Sequence, residues 1–269
     1  MKSMQISDPT EVGRFFRRNN GIQAVYEDAT AIAAEIFSDT RTYSLAPAGI
    51  AAFGLIAMAH ETFLEVLCLA ENGFGRGAQG RLRTMFEQVA VAAYITKNES
   101  EAEKFVKFQV VETRKELLRA KEVLSKTGNA EFIAQIDARV NALDADLDMI
   151  KAEYGKRFGS SWHEGVSNIA EDLGWEHHFF YSYLIPNRHV HASPLMLERR
   201  TAEEGHLYFS GEPDRDCADE AVRGALTMLV LAYAVAQDIG IVIGDGGALD
   251  RLSKRLVAFY QGKPNLTRL

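Results

Sequence analysis

The segment ENGFGRGAQGRLRTMFE, residues 71–87, decides between two fold classes because it contains the G-x-G-x-x-G spacing of a dinucleotide-binding turn. Such a turn follows a β-strand and opens a helix within a parallel βαβ unit. Here the preceding residues, Thr62–Glu71, have a helical pattern, and no series of alternating strands occurs elsewhere. We therefore predict that the glycines form a tight helix–turn–helix connection that lets two long helices pack closely, and we expect no cofactor.

Helix start and stop signals flank this segment on both sides. Pro47 opens a third helix that ends at Asn72-Gly73, and a fourth helix runs from about Arg76 to Lys97. The capping box Ser100-Glu-Ala-Glu103 begins a fifth helix, and Asn129 caps a sixth. These signals predict an all-α fold.

Apolar residues of the sixth helix recur at spacings of three and four, which is typical of two helices packed antiparallel. This seam comprises Phe132, Ile136, Val140, Leu143, Leu147, Ile150 and Tyr154. Residues 100–155 are therefore predicted to form a long helical hairpin that projects from a multi-helix bundle. With no repeat and no linker in the sequence, residues 1–269 are predicted to form a single helical domain.

Residues 156–212 are less regular. A capping box at Ser161 predicts a short helix to Gly174, and Trp175–Ile185 is predicted to be helical until Pro186. At most one small β-hairpin is expected, around residues 206–209. Asp216 is predicted to cap a long apolar helix that reaches about Ile243.

The net charge of −7 argues against a protein that wraps duplex DNA by bulk charge, although a local basic patch can bind RNA. Two candidate patches are Arg14, Arg17 and Arg18, and Arg76, Arg81 and Arg83. The two cysteines lie far apart and no signal peptide is visible, which favours a reducing cytoplasm. Leu45–Ala70 is interrupted by charged residues, so it is expected to be a buried helix and not a membrane span.

Charged residues occur in the third and fourth helices on faces that are apolar further along. Buried charges are tolerated only when they are paired. We therefore predict a polar network between the two helices, and its members are Glu61, Glu65, Arg81, Arg83 and Glu87. Such a network either locks the helices together or lines a functional pocket.

The segment YSYLIPNRHVHASP, residues 181–194, is the other dense polar stretch. On a helix Arg188 and His191 share a face. A histidine can act as general acid or base, and a neighbouring arginine can stabilise a phosphorane, a combination that suits metal-independent cleavage of RNA. The candidate catalytic residues are therefore His191, Arg188 and Glu87. In the structural alternative, His191 only satisfies a buried carboxylate such as Glu87, and Arg188 lies on the surface.

A metal site is the less favoured interpretation. A di-iron bundle needs Glu-x-x-His motifs on two helices, and the predicted helices contain none. The runner-up ligand set is Glu61, Glu65, Glu87 and His191, which could hold a metal ion only if all four side chains converge.

Five features follow one another along the chain: Arg81-Leu-Arg-Thr-Met-Phe-Glu87, an apolar helix ending in Tyr94-Ile95, a long charged hairpin, Tyr181-Ser182 and Val190-His191-Ala192-Ser193. Together they resemble a bacterial family of helical proteins known as a domain of unknown function. The resemblance spans roughly Ile50–Pro194. It implies an all-helical fold and no established activity.

An Arg and a His near the end of a helical bundle are also similar to HEPN domains (higher eukaryotes and prokaryotes nucleotide-binding). Many of these are RNA-cleaving toxins or antiviral effectors that act as dimers joining two Arg/His motifs. The resemblance implies a ribonuclease or phage-defence effector with Arg188 and His191 at its site, RNA as partner and a homodimer. The alternatives are a non-catalytic interaction or scaffold module and a metal-dependent enzyme.

Overall fold

The computed structural model describes residues 9–38, 43–126, 128–163, 165–190, 215–243 and 246–261. The α-helices are α1 (Pro9–Arg18), α2 (Ile22–Ile36), α3 (Pro47–Glu71), α4 (Gly75–Lys97), α5 (Glu99–Ser125), α6 (Ala130–Tyr154), α7 (Val166–Asp172), α8 (Glu176–Phe179), α9 (Ile185–Val190), α10 (Arg215–Asp238) and α11 (Ala248–Gln261). A 3-10 helix covers Lys156–Gly159, and a π-helical segment, Phe180–Leu184, joins α8 to α9. No strand occurs among these residues, and the predicted all-α class is confirmed.

The centre of the bundle consists of α3, α4 and α10, which pack against one another. The antiparallel pair α3 and α4 is joined inside the core by Thr62, whose hydroxyl donates to Oε1 of Gln88 at 3.0 Å. A Cβ at Gly224 would lie 2.6 Å from Cδ2 of Leu82. Glycine at this position therefore allows α10 to approach α4 closely.

The glycine run was predicted to form the turn between the two helices, but it lies inside the first turns of α4. The helix that precedes it is present as predicted. The α3–α4 connection ends at Phe74, and it turns at Gly73, whose φ of +80° favours glycine. A Cβ at Gly77 would lie 3.4 Å from Cδ1 of Leu69. This distance is an ordinary van der Waals contact with a side chain of α3. The strand that a dinucleotide turn requires is replaced by α3.

The predicted helical hairpin is present as α5 and α6. Asn129 caps α6, because its side chain accepts a hydrogen bond from the backbone N–H of Phe132. The two helices are also joined by side-chain pairs, including Arg114 with Asp144 at 2.6 Å. The buried members of the predicted seam are Ile136, Val140, Leu147 and Ile150. Phe132 was expected to belong to it and does not: its side chain is 55% exposed in the first turn of α6.

Several helix boundaries differ from the sequence-based expectation. Ser100 and Asp216 were expected to cap α5 and α10, but α5 includes Glu99 and α10 includes Arg215. Ser161 does not begin a helix, because its hydroxyl bonds locally to the backbone of His163, and α7 starts only after Gly165. Pro186 does not end a helix either. The π-helical segment before it widens the turn, which accommodates a residue without an N–H donor, and α9 continues to Val190.

The end of the bundle also departs in part from the prediction. α10 ends at Asp238 and not near Ile243, because the chain turns at Gly240, whose φ is +89°. The small β-hairpin expected around residues 206–209 lies outside the described residues.

Among the described helices, α3 alone is long and apolar enough to cross a membrane, and 39% of its most apolar window is buried. Length and composition of one helix are weak support for a span, since core helices of soluble proteins share them. Its buried face belongs to the main core and includes Ala52, Ile56, Ala59, Phe63 and Val66. Its outward face exposes Ile50, Met58 and Leu64.

Candidate functional site

The helix that runs from α8 through the π-helical segment to α9 packs along α4 and forms the candidate site. Tyr183 stacks on Phe179 with ring centroids 5.0 Å apart, and both rings contact Phe86 of α4. A Cβ at Gly80 would lie 3.5 Å from Cγ2 of Val190. This distance is an ordinary van der Waals contact, so α9 packs directly over Gly80 at Val190, within the polar segment 181–194.

Arg83 is the most constrained charged side chain of this junction. Its Nη2 donates to the hydroxyl of Tyr183 at 2.8 Å and lies 3.1 Å from Oε1 of Glu87. The guanidinium carbon also lies 4.6 Å from the centroid of the Tyr183 ring, within the range of a cation–π contact. Three contacts therefore fix the guanidinium. The side chains of Arg83 and Glu87 are 24% and 35% exposed, so both still reach solvent.

Two buried polar atoms at this junction have no hydrogen-bond partner among the described residues. They are Nε of Arg83 and Oδ1 of Asn187, four residues after Tyr183 in the chain. A buried polar atom without a partner costs about 1–3 kcal/mol. Because both atoms are buried, a group that bonds to them has to enter the space between the helices.

The five residues of the predicted polar network fall into two ion pairs and one separate residue. Arg81 of α4 pairs with Glu65 of α3, and Arg83 pairs with Glu87 within α4. Glu61 is exposed and forms no ion pair with another described residue. Since Arg81 and Glu65 are both about 40% exposed, their pair is expected to stabilise the fold by no more than ~1 kcal/mol.

The three candidate catalytic residues are placed differently. Glu87 contacts Arg83, and Arg188 is exposed in the last turn of α9. His191 lies outside the described residues, so its contact with Glu87 or Arg188 stays a prediction. It directly follows Val190, the residue beside Gly80.

No three His, Cys, Asp or Glu side chains within the described ranges are grouped so that they could hold a metal ion. The three carboxylates of the runner-up metal set do not form such a group either. Glu65 and Glu87 are each engaged by an arginine, and Glu61 is exposed. They therefore do not converge into a three-ligand group with which His191 could complete a site.

The first basic patch is occupied by acidic partners that the sequence did not reveal. Glu11 of α1 is only 6% exposed and contacts Arg14, Arg18 and Arg215, the last at 3.0 Å. Arg18 also bonds to Asp219 of α10 at 3.2 Å. Arg18 with Asp219, and Glu11 with Arg215, thus tie α1 to the start of α10. Arg14 pairs within α1, and the third member, Arg17, is exposed.

Two histidines outside the junction have pKa values below the ordinary range for histidine. Burial lowers the pKa of His60, whose Nδ1 lies 3.0 Å from the hydroxyl of the core residue Tyr233. Burial also lowers the pKa of His178, and the adjacent His177 acts in the same direction. A third histidine, His189 of α9, lies with its Nε2 3.9 Å from the sulfur of Cys217, and this contact connects α9 to α10.

The fold and the site define a class of helical-bundle proteins in which an Arg–Glu helix packs against a Tyr-bearing helix. Residues 49–206, more than half of the chain, match DUF5677, a family of unknown function, and the chain belongs to this family. No curated protein and no solved structure is significantly similar to the chain.

Proposed function

We propose that this chain is a metal-independent, HEPN-like ribonuclease that acts at the junction of α4 and α9. The observation that carries the proposal is the fixed guanidinium of Arg83, which Tyr183 and Glu87 hold at a partly exposed position. A guanidinium fixed in this way holds Glu87 and Tyr183 in place before the reaction, and such preorganisation favours catalysis. The exposed Arg188 adds a second guanidinium on the neighbouring helix.

The chemistry requires one base, one acid and a positive group. The base removes the proton of a ribose 2′-hydroxyl, the 2′-oxygen attacks phosphorus, and the P–O5′ bond breaks. The acid protonates the leaving 5′-oxygen, so the products are a 2′,3′-cyclic phosphate and a 5′-hydroxyl. We assign both transfers to His191, which takes the proton from the 2′-hydroxyl and returns it to the leaving 5′-oxygen. Arg188 stabilises the phosphate, with Glu87 and Arg83 as positioning residues.

The test is cleavage of a 5′-labelled single-stranded RNA by purified protein in the presence of EDTA. We expect wild-type cleavage with cyclic-phosphate ends and a loss of about 10²-fold or more in His191→Ala, the usual contribution of a general acid or base. His163→Ala is the matched control, because His163 contacts Tyr94 edge-on, away from the junction. No cleavage by the wild type, or equal cleavage by His191→Ala, contradicts the proposal.

A cytoplasmic location belongs to the same proposal, because RNA is the substrate and both cysteines are free. Fractionation of cells that express the tagged chain tests it. Recovery of the protein with the membrane fraction contradicts it.

A second candidate function is a non-catalytic interaction module, and the outward face of α3 favours it. Ile50, Met58 and Leu64 are large apolar residues of one helix and are exposed by 41–62%. Exposed apolar residues grouped on one element are typical of association surfaces. A homodimer through this face is expected to become monomeric in Met58→Glu by sedimentation velocity. A monomeric wild-type chain contradicts the dimer.

A further inference from the structure

The helix from α8 to α9 has two different faces. Its inner face, with Phe179 and Tyr183, packs on α4. Its outer face carries His177, Phe180, Tyr181 and Leu184, all exposed to solvent, and we call these four residues the outer aromatic face. The π-helical segment begins at Phe180 and leaves two consecutive aromatic residues exposed, Phe180 by 41% and Tyr181 by 47%.

The rings of the outer aromatic face contact one another. The Tyr181 ring lies 4.7 Å from the His177 ring and 5.1 Å from the Phe180 ring, to which it is nearly perpendicular. Such a group of exposed rings is a surface on which unpaired bases stack. Arg188, exposed at the end of the same helix, provides a positive charge for a phosphate.

We propose that the outer aromatic face binds single-stranded RNA by base stacking and that Arg188 contacts its backbone, a proposal that rests on the ribonuclease function for its choice of ligand. The exposed rings favour this occupant over a duplex. The chain carries a net charge of −7, so it does not bind nucleic acid through bulk charge, and stacking requires bases that are not paired.

The stacking contribution predicts the size of the effect. One base on one aromatic ring accounts for about a 5- to 150-fold change in affinity. Tyr181→Ala is therefore expected to weaken binding by that factor, and Tyr181→Phe, which keeps the ring, to retain it. Phe132→Ala is the matched control, because Phe132 is a similarly exposed aromatic residue on the distant hairpin.

The charge contribution predicts a shallow dependence on salt. Each neutralised phosphate of a single strand contributes about 0.7 to the slope of log K against log salt concentration. Arg188→Gln is expected to lower the slope by about this amount while Tyr181→Ala leaves it unchanged. A slope that Arg188→Gln does not alter overturns the backbone contact.

The experiment measures fluorescence anisotropy of a labelled 2′-O-methyl oligonucleotide, which lacks the 2′-hydroxyl needed for cleavage and separates binding from the reaction. Weaker binding by Tyr181→Ala, with duplex RNA as a poor competitor, supports the proposal. Equal binding by Tyr181→Ala, no binding by the wild type, or equal competition by a duplex overturns it. Conversion of a wild-type dimer into a monomer by Tyr181→Ala also overturns it, because the face is then a protein interface.

The two proposals can fail separately. If wild-type protein cleaves RNA but Tyr181→Ala binds as the wild type does, the outer aromatic face is not the RNA site and the ribonuclease function stands. If Tyr181→Ala alone loses binding but no RNA is cleaved, the face binds RNA without catalysis. Melting curves of Tyr181→Phe and Tyr181→Ala confirm that both variants are folded.

Discussion

Replacing Tyr183 with phenylalanine removes one hydroxyl from the candidate site and leaves the ring in place. The hydroxyl accepts a hydrogen bond from Arg83 at 2.8 Å, and hydrogen bonds to charged groups stabilise proteins by about 1.5–3 kcal/mol when buried. Arg83 is 24% exposed and keeps its contact with Glu87 after the replacement. We therefore expect Tyr183→Phe to lower the free energy of unfolding by about 1 kcal/mol, since solvent screens part of the interaction.

A double-mutant cycle isolates this hydrogen bond from the remaining packing. In an Arg83→Met background the donor is absent, so Tyr183→Phe is expected to cost close to nothing there. The coupling energy between the two positions should then be about 1 kcal/mol. Urea denaturation followed by circular dichroism measures all four proteins. Equal losses for Tyr183→Phe in both backgrounds would refute the assignment of Arg83 as the partner.

The chain offers a control with the same chemistry and less burial. Tyr154 accepts a hydrogen bond from Lys107 at 3.2 Å, and the ammonium lies 5.0 Å from the ring centroid. This pair lies on the exposed hairpin, so Tyr154→Phe is expected to change stability by less than about 0.5 kcal/mol. If both tyrosine variants lower the free energy of unfolding by similar amounts, the hydroxyl of Tyr183 stabilises the protein no more than that of a tyrosine on the exposed hairpin.

Three further outcomes are expected. Glu11→Gln should lower the free energy of unfolding by about 1–2 kcal/mol, less so in 1 M NaCl, because it removes the carboxylate that joins Arg18 and Arg215; chemical denaturation at both salt concentrations measures this. The stability that the neutral His60 contributes should be fully present above pH ~6.5 and should fall as the pH drops towards the lowered pKa of His60, since the unfolded chain takes up that proton first. Melting curves at a series of pH values check this, and His60→Phe should lack this dependence on pH. Leu147→Ala should cost about 2–5 kcal/mol and Phe132→Ala less than about 0.5, and equal losses by calorimetry would contradict the observed hairpin packing.

Local signals in the sequence predicted most of the fold because the forces that begin and end helices act over a few residues. Asn129 caps α6 through its own side chain, and Pro47 is the first residue of α3. The same rules gave the wrong result at Pro186, because the helix continues through it. The π-helical segment before it depends on packing of Phe179 and Tyr183 against α4, which is a tertiary contact.

The candidate site was predictable only where its partners are close in the chain. Arg83 and Glu87 are one helical turn apart, so their pairing follows from the spacing. Tyr183 is one hundred residues from Arg83, and Glu11 is about two hundred residues from its partner Arg215. No periodicity relates such positions, and the contacts depend on which helices pack together.

Whether each buried polar group of the α4–α9 junction has a hydrogen-bond partner helps to distinguish a functional junction from a purely structural one. A guanidinium that only locks α4 to α9 is most stable when all of its donors are bonded, because each buried donor left without a partner costs about 1–3 kcal/mol. Arg83 has strong partners for Nη2, whereas its Nε and the Oδ1 of Asn187 have none among the described residues. If Arg83 positions the residues that cleave RNA, Arg83→Lys should keep the charge, lose the planar group that holds Tyr183 and Glu87, and reduce RNA cleavage more than it lowers stability. If instead Arg83→Lys lowers stability and leaves cleavage unchanged, the junction is structural, and the interaction module becomes the better account of this chain.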